Sequence, residues 1–79
     1  MFEERVVLPG GEILALNLLA GFHYNLSARK GQRILIEYIS DGAKHSRVVR
    51  GRASAYEFKS VEKLRYDFER DAEDALRQA

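Results

Sequence analysis

"RILIEYISDGAKHSRVVRG", residues 33–51, has the form of two β-strands joined at Asp41-Gly42. The first arm is mostly apolar, and the second carries Arg47 and Arg50, with Arg52 immediately after the stretch. Asp-Gly is a strong short-range hairpin signal because both residues tolerate a positive φ. Three registers are open. A two-residue loop sets Glu37 opposite Ser46, and a loop one residue longer or shorter sets it opposite His45 or Arg47. The last is preferred here, because it pairs unlike charges and lays Ile36 beside Val48. In each case the hairpin supplies Ile34, Ile36, Val48 or Val49 to a core, so its first role is structural.

Outward from the hairpin, the apolar period identifies the neighbouring elements. In "FHYNLSA" (22–28), Phe22, Tyr24 and Leu26 alternate with His23, Asn25 and Ser27, the period of a half-buried strand. "RKGQ" (29–32) supplies a turn at Gly31. After the hairpin, Gly51 marks a bulge, and "ASAYEF" (53–58) continues the sheet. From Ser60 the period changes. Val61, Leu64, Phe68, Ala72 and Ala75 recur at helical spacing, Leu76 widens the stripe, and Ser60 is placed to cap the helix, with Glu62 in its first turn. The other face carries charge, with Arg70/Asp74 and Glu73/Arg77 at i,i+4, each pair contributing roughly 0.2–0.5 kcal/mol.

The N-terminal third admits two readings. "ERVVLPGGEILAL" (4–16) looks like a hairpin around Pro9-Gly10-Gly11, whereas "EILALNLLAG" (12–21) also suits a short helix ending at Gly21. The strand is taken as the working assignment. Ile13, Leu14, Leu16, Leu18 and Leu19 then leave no polar face, and a single helix covers only one side of a sheet. A symmetric dimer with Leu14, Leu16 and Leu18 near its centre is the expected cover. The fold class is α+β: one domain over 1–79, with an antiparallel meander of about four to five strands against a C-terminal amphipathic helix.

Composition bounds the function. Charged residues make up 32% and the formal net charge is +1, so no overall imbalance points to nucleic acid or membrane. Residues 41–59 nevertheless carry five bases against two acids, while residues 60–79 carry four bases against six acids. The absence of cysteine removes disulfides, thiolate chemistry and Cys-based zinc sites. "MFEERVVLPGG" has acids where a secretory leader has bases, and no apolar run approaches about 18 residues, so a cytoplasmic protein that avoids the membrane is expected. His23 and His45 stand in no metal-ligand spacing, and Ser27, Ser40, Ser46, Ser54 and Ser60 lack a nucleophile elbow. Phosphate-binding glycine loops are missing too, and no cofactor or enzymatic activity is expected.

What remains is arginine and tyrosine, residue types favoured at interfaces. Tyr38, Lys44, Arg47, Arg50 and Arg52 are the candidate partner-binding residues. In an extended strand Arg50 and Arg52 share one face and Arg47 the other. Arginine grips phosphate bidentately, so a nucleic-acid-binding domain using 44–52 is the alternative reading.

The run "FHYNLSARKGQRILIEYISDG…YEFKSVEKLRYDF", covering 22–68, resembles the small phage anti-CRISPR inhibitors of the type I-F kind. The matching pieces are the turn Asp41-Gly42, the segment Phe58-Lys59-Ser60 and the stripe Val61, Leu64 and Phe68. The stretch between the turn and Phe58 is longer than in that family, so no binding residue is carried over. The resemblance implies a compact, non-enzymatic protein that occludes a partner's surface. A protein-binding module of phage or mobile-element type is therefore the leading expectation.

Overall fold

The computed structural model describes residues 2–20 and 23–78. Its elements are β1 (Phe2–Val7), β2 (Ile13–Leu18), β3 (His23–Lys30), β4 (Arg33–Asp41), β5 (His45–Val49), β6 (Arg52–Ala55) and α1 (Val61–Gln78). The strands form one antiparallel sheet in sequence order, with α1 across one face. The α+β class and the meander stand as expected, but among the described residues the sheet has six strands, not four or five. The extra strand comes from "RVVRGRASA", which folds back on itself. Arg50 and Gly51 both have positive φ, 51° and 83°, and Val49 pairs with Arg52. That is a tight turn of the I′ kind, not a bulge in one long strand. Residues 13–18 form a strand rather than a helix, paired with β1 across the Pro9-Gly10-Gly11 turn. The expected roles of Gly21 and Phe22 lie outside the described residues.

The hairpin register differs from all three considered above. Glu37 pairs with Val48, Ile36 with Val49 and Tyr38 with Arg47, so four residues separate Ser40 from His45. Side-chain chemistry decides this. Asp41 Oδ1 accepts hydrogen bonds from the amides of Ala43 (3.0 Å) and Lys44 (2.8 Å), while Ser40 Oγ accepts from Gly42 (3.0 Å). An Asx-type turn therefore replaces the two-residue Asp-Gly loop. The Lys44 amide, followed by that of Ala43, holds the Asp41 carboxyl below the ordinary carboxylate range.

Register sets the two faces. Beneath the helix one row reads Leu16, Leu26, Tyr38, Arg47 and a second reads Leu14, Ala28, Ile36, Val49. A slip between Ala28 and Arg29 leaves Leu35 as an extra residue in β4. Strict alternation fails there, so Leu35 is buried and Ile34, expected in the core, is 49% exposed. Val48 falls on the opposite face, paired with Glu37 and Ala53. That outer face mixes Glu3, Asn17, Asn25, Ile39 and Ser46 with small residues such as Ala15 and Ala53. It is less apolar than the reading of 13–19 implied, because Leu14, Leu16 and Leu18 turn to the helix and leave Ile13 as the one large apolar side chain of β2 on the outer face.

α1 begins where its cap predicts. Ser60 Oγ accepts from the Lys63 amide at 3.1 Å, and the Ser60 carbonyl accepts from Leu64 at 2.9 Å. Leu64, Phe68, Ala72 and Ala75 are buried against the sheet. Val61, placed in that stripe by spacing, is 46% exposed, since Phe58 already covers this end by stacking on Tyr24 and His45. Of the two expected ion pairs Glu73–Arg77 forms at 2.7 Å, while Arg70 turns to Asp67 instead of Asp74. Among the described residues no helix is long and apolar enough to cross a membrane. Replacing Ser60 by Ala removes the cap and lowers stability by about 1 kcal/mol, read as a fall of about 4–8 °C in a thermal melt.

Candidate functional site

Three surfaces of the molecule carry side chains beyond simple packing. The first is a polar seam between α1 and strands β4–β6. Tyr38, expected at a partner surface, is fully buried: its ring packs edge-on against Phe68 and Tyr56, and its hydroxyl donates to Asp71. Arg47 sits beside it, half-buried, with Nη1 3.4 Å from Asp71 Oδ2. Tyr56 donates to Asp67 at 2.7 Å, Lys63 Nζ reaches the same carboxylate at 2.9 Å, and the Tyr24 hydroxyl meets His45 Nδ1 at 2.8 Å.

Electrostatics fixes the protonation states here. Burial pushes the Tyr24 phenol up to about 12. Burial, then the bonds to Asp71 and Asp67, push Tyr38 and Tyr56 up as well. The Arg47 guanidinium is raised by its contact with Tyr38. At neutral pH the phenols are un-ionised, Tyr38 and Tyr56 donate to their carboxylates, and the arginine is a cation. The seam therefore joins helix to sheet through the carboxylates of Asp67 and Asp71, the Arg47 and Lys63 cations and the phenols of Tyr38 and Tyr56.

The second surface is a groove of about 640 Å³ between α1 and the β1–β2 hairpin. Its floor is apolar, from Val6, Leu8, Leu14, Leu16, Phe68, Ala72 and Leu76, and its rim carries Glu4, Arg65, Glu69, Glu73 and Arg77. Arg65 spans the rim, donating to Glu4 and Glu69 at 2.9 Å each. The groove explains the leucines expected at a dimer centre. Leu16 is 3% exposed in the core, while Leu14 and Leu18 are half-buried against it. Only Leu14 and a sliver of Leu16 reach the groove. β1 lies at one edge of the sheet, with its outer side unpaired among the described residues.

The third surface gathers bases that the linear reading kept apart. Lys44 lies in the Asp41–Lys44 loop at one end of the sheet, and Arg50 and Arg52 lie at the other, so residues 44–52 form no single patch. The end holding Arg50 and Arg52 also holds Arg29, Lys30 and Arg33, through the pairs Lys30–Arg33 and Arg29–Ile34. Sequence reading passed over these three. The signal was available in "RKGQR": in a meander every second turn lies at the same end, so the turns at 31–32 and 50–51 are neighbours.

Among the described residues no three His, Cys, Asp or Glu side chains group as a metal site. Comparison with protein-family models, with curated proteins and with solved structures yields no match, so the functional reading rests on the geometry of this chain.

Proposed function

We propose that the protein is a small, non-enzymatic binding module, of phage or mobile-element type, that inhibits or adapts a larger machine by occupying its surface. The observation that carries this reading is the groove beside β1. An apolar floor with a charged rim, next to an unpaired strand edge, suits a protein segment that adds to the edge and lays alternate side chains into the groove. Val6, 36% exposed, and the half-buried Leu8 would form the contact's apolar centre. Glu3 and Arg5 on the outer face of β1 restrict which strands pair with it.

The test is capture of a protein from nuclease-treated lysate of the native host, with the parent chain and a Val6→Lys, Leu8→Lys variant of matched melting temperature. Retention by the parent and loss of at least tenfold by the variant is the expected result. Equal capture by both removes the groove from the account. A second copy of the chain is the competing occupant, and sedimentation equilibrium at low micromolar concentration identifies it as twice the chain mass.

A further inference from the structure

We infer that the end of the sheet formed by the β3–β4 and β5–β6 turns binds the phosphate backbone of nucleic acid, independently of sequence. Arg29, Lys30, Arg33, Arg50 and Arg52 are carried on the strand ends there and all five are exposed, Arg29 also lining a hollow with Glu3, Glu4 and Arg5. The two turns are tied directly, since the Arg50 amide donates to the Leu35 carbonyl at 2.9 Å. The chain has thirteen bases. Six of them, Arg47, Lys59, Lys63, Arg65, Arg70 and Arg77, have a carboxylate within 4.0 Å. Of the seven with no such partner among the described residues, five stand at this one end. Glu12, which precedes Ile13, the partner of Arg29, folds back over Gly10 of its own turn, while Glu3 and Glu4 share a hollow with Arg29 alone of the five. Neighbouring strands lie about 4.8 Å apart. Bases on adjacent strands therefore stand within the screening length of about 8 Å at physiological salt, while β3 and β6 lie three spacings apart. The folded state holds a repulsion that a polyanion would relieve.

A second observation is independent of charge. Arg50 has a φ of 51°, at the first central position of its turn, where glycine, asparagine or aspartate is normally found. Its amide bond to Leu35 needs no particular side chain, and its guanidinium has no partner among the described residues. The strained choice serves no local structural purpose. Residues held in sparsely populated backbone regions concentrate at functional positions.

The chemistry of the surface selects the ligand. Four of the five bases are arginines, whose planar forks match phosphate oxygens bidentately. The two turns are two strand spacings apart, about 10 Å, near the width of a major groove at about 12 Å. No residue of 29–33 or 50–52 is aromatic, so base stacking is not provided and recognition is confined to the backbone. A lipid surface would call for apolar side chains at the turn tips, and these are Gly31-Gln32 and Arg50-Gly51.

The test is fluorescence anisotropy with labelled duplex DNA of mixed sequence, across a salt series. Three to five phosphate contacts give a fall in affinity of about 40- to 500-fold between about 50 and 200 mM salt. Arg50→Asn is the decisive variant, because relief of the turn raises its melting temperature while it loses a phosphate contact. Its expected signature is weaker DNA binding, with the salt slope reduced by about 1. Lys44→Ala, at the far end, leaves binding unchanged. The inference is overturned by absence of binding at low salt, by equal losses in Lys44→Ala and Arg50→Asn, or by binding to anionic phospholipid vesicles in place of DNA.

Discussion

Phe68→Ala lowers the free energy of unfolding by about 3–5 kcal/mol. Phe68 has no exposed surface and packs edge-on against Tyr38 at a ring separation of 5.8 Å. It also lines the groove floor. Truncation removes the transfer free energy of the ring and leaves a cavity that Ala72, one turn on, is too small to fill. The edge-to-face pair with Tyr38 adds about 0.5–1.5 kcal/mol to what is lost. In a domain of this size each kcal/mol moves the midpoint by about 4–8 °C. The melt therefore shifts down by about 12 °C or more. Leu64→Ala, a turn earlier and 1% exposed, costs about 2–5 kcal/mol. Thermal unfolding of both variants checks the assignment. Midpoints within a degree or two of the parent would remove α1 as the cover of the core.

Asp67→Ala gives the second large effect, about 1.5–3 kcal/mol near neutral pH, together with a changed response to acid. Asp67 is buried and takes hydrogen bonds from the Tyr56 hydroxyl and Lys63 Nζ. Its removal leaves the phenol without an acceptor. Burial, the largest single influence on this carboxyl, acts to raise it. The bonds from Lys63 and Tyr56, with the charges of Lys63 and Arg70, together outweigh burial and hold it below the ordinary value of 3.8. A group depressed in the folded state stabilises the fold above its unfolded pKa, and that contribution disappears as pH falls through the folded value. The parent chain thus loses stability on acidification below about pH 4, and the variant lacks this part of the loss. Urea midpoints measured from neutral pH down to about pH 3 show it as converging curves. Parallel curves would mean that the Asp67 carboxyl carries no net linkage.

The two effects act on different sides of α1. Phe68 anchors the helix over the sheet centre, whereas Asp67 and Asp71 pin its β5–β6 side through Tyr56, Tyr38 and Arg47. The β1–β2 side is held by the exposed pair Glu4–Arg65 and by the half-buried Leu14 and Leu76, with the groove between. Exposed pairs contribute little, about 0–1 kcal/mol. The helix is firmly attached on one flank and lightly on the other, and the lightly held flank is where the proposed partner segment docks.

The sequence by itself determined the elements whose causes are local. Ser60 and Glu62 mark the start of α1, the spacing of Leu64, Phe68, Ala72 and Ala75 sets its buried face, and the alternation in 22–28 marks a strand. Pro9-Gly10-Gly11 and Gly31 place two turns of the meander. Only the three-dimensional structure decided which of several possible turns formed and which distant segments met. The Asx turn at Asp41 moved the hairpin past all three registers considered, since a side-chain acceptor competes with the backbone pattern that Asp-Gly suggests. An extra residue at Leu35 exchanged the burial expected of Ile34, because a bulge breaks the period from which burial is read. The turn at Arg50-Gly51 made a sixth strand and carried Arg50 and Arg52 away from Arg47, to the end that holds Arg29, Lys30 and Arg33. Tyr38 shows the same limit in one side chain: its alternation is that of many strand tyrosines. Only the helix laid over it, with Phe68 on its ring and Asp71 on its hydroxyl, turns a candidate contact residue into the centre of the core.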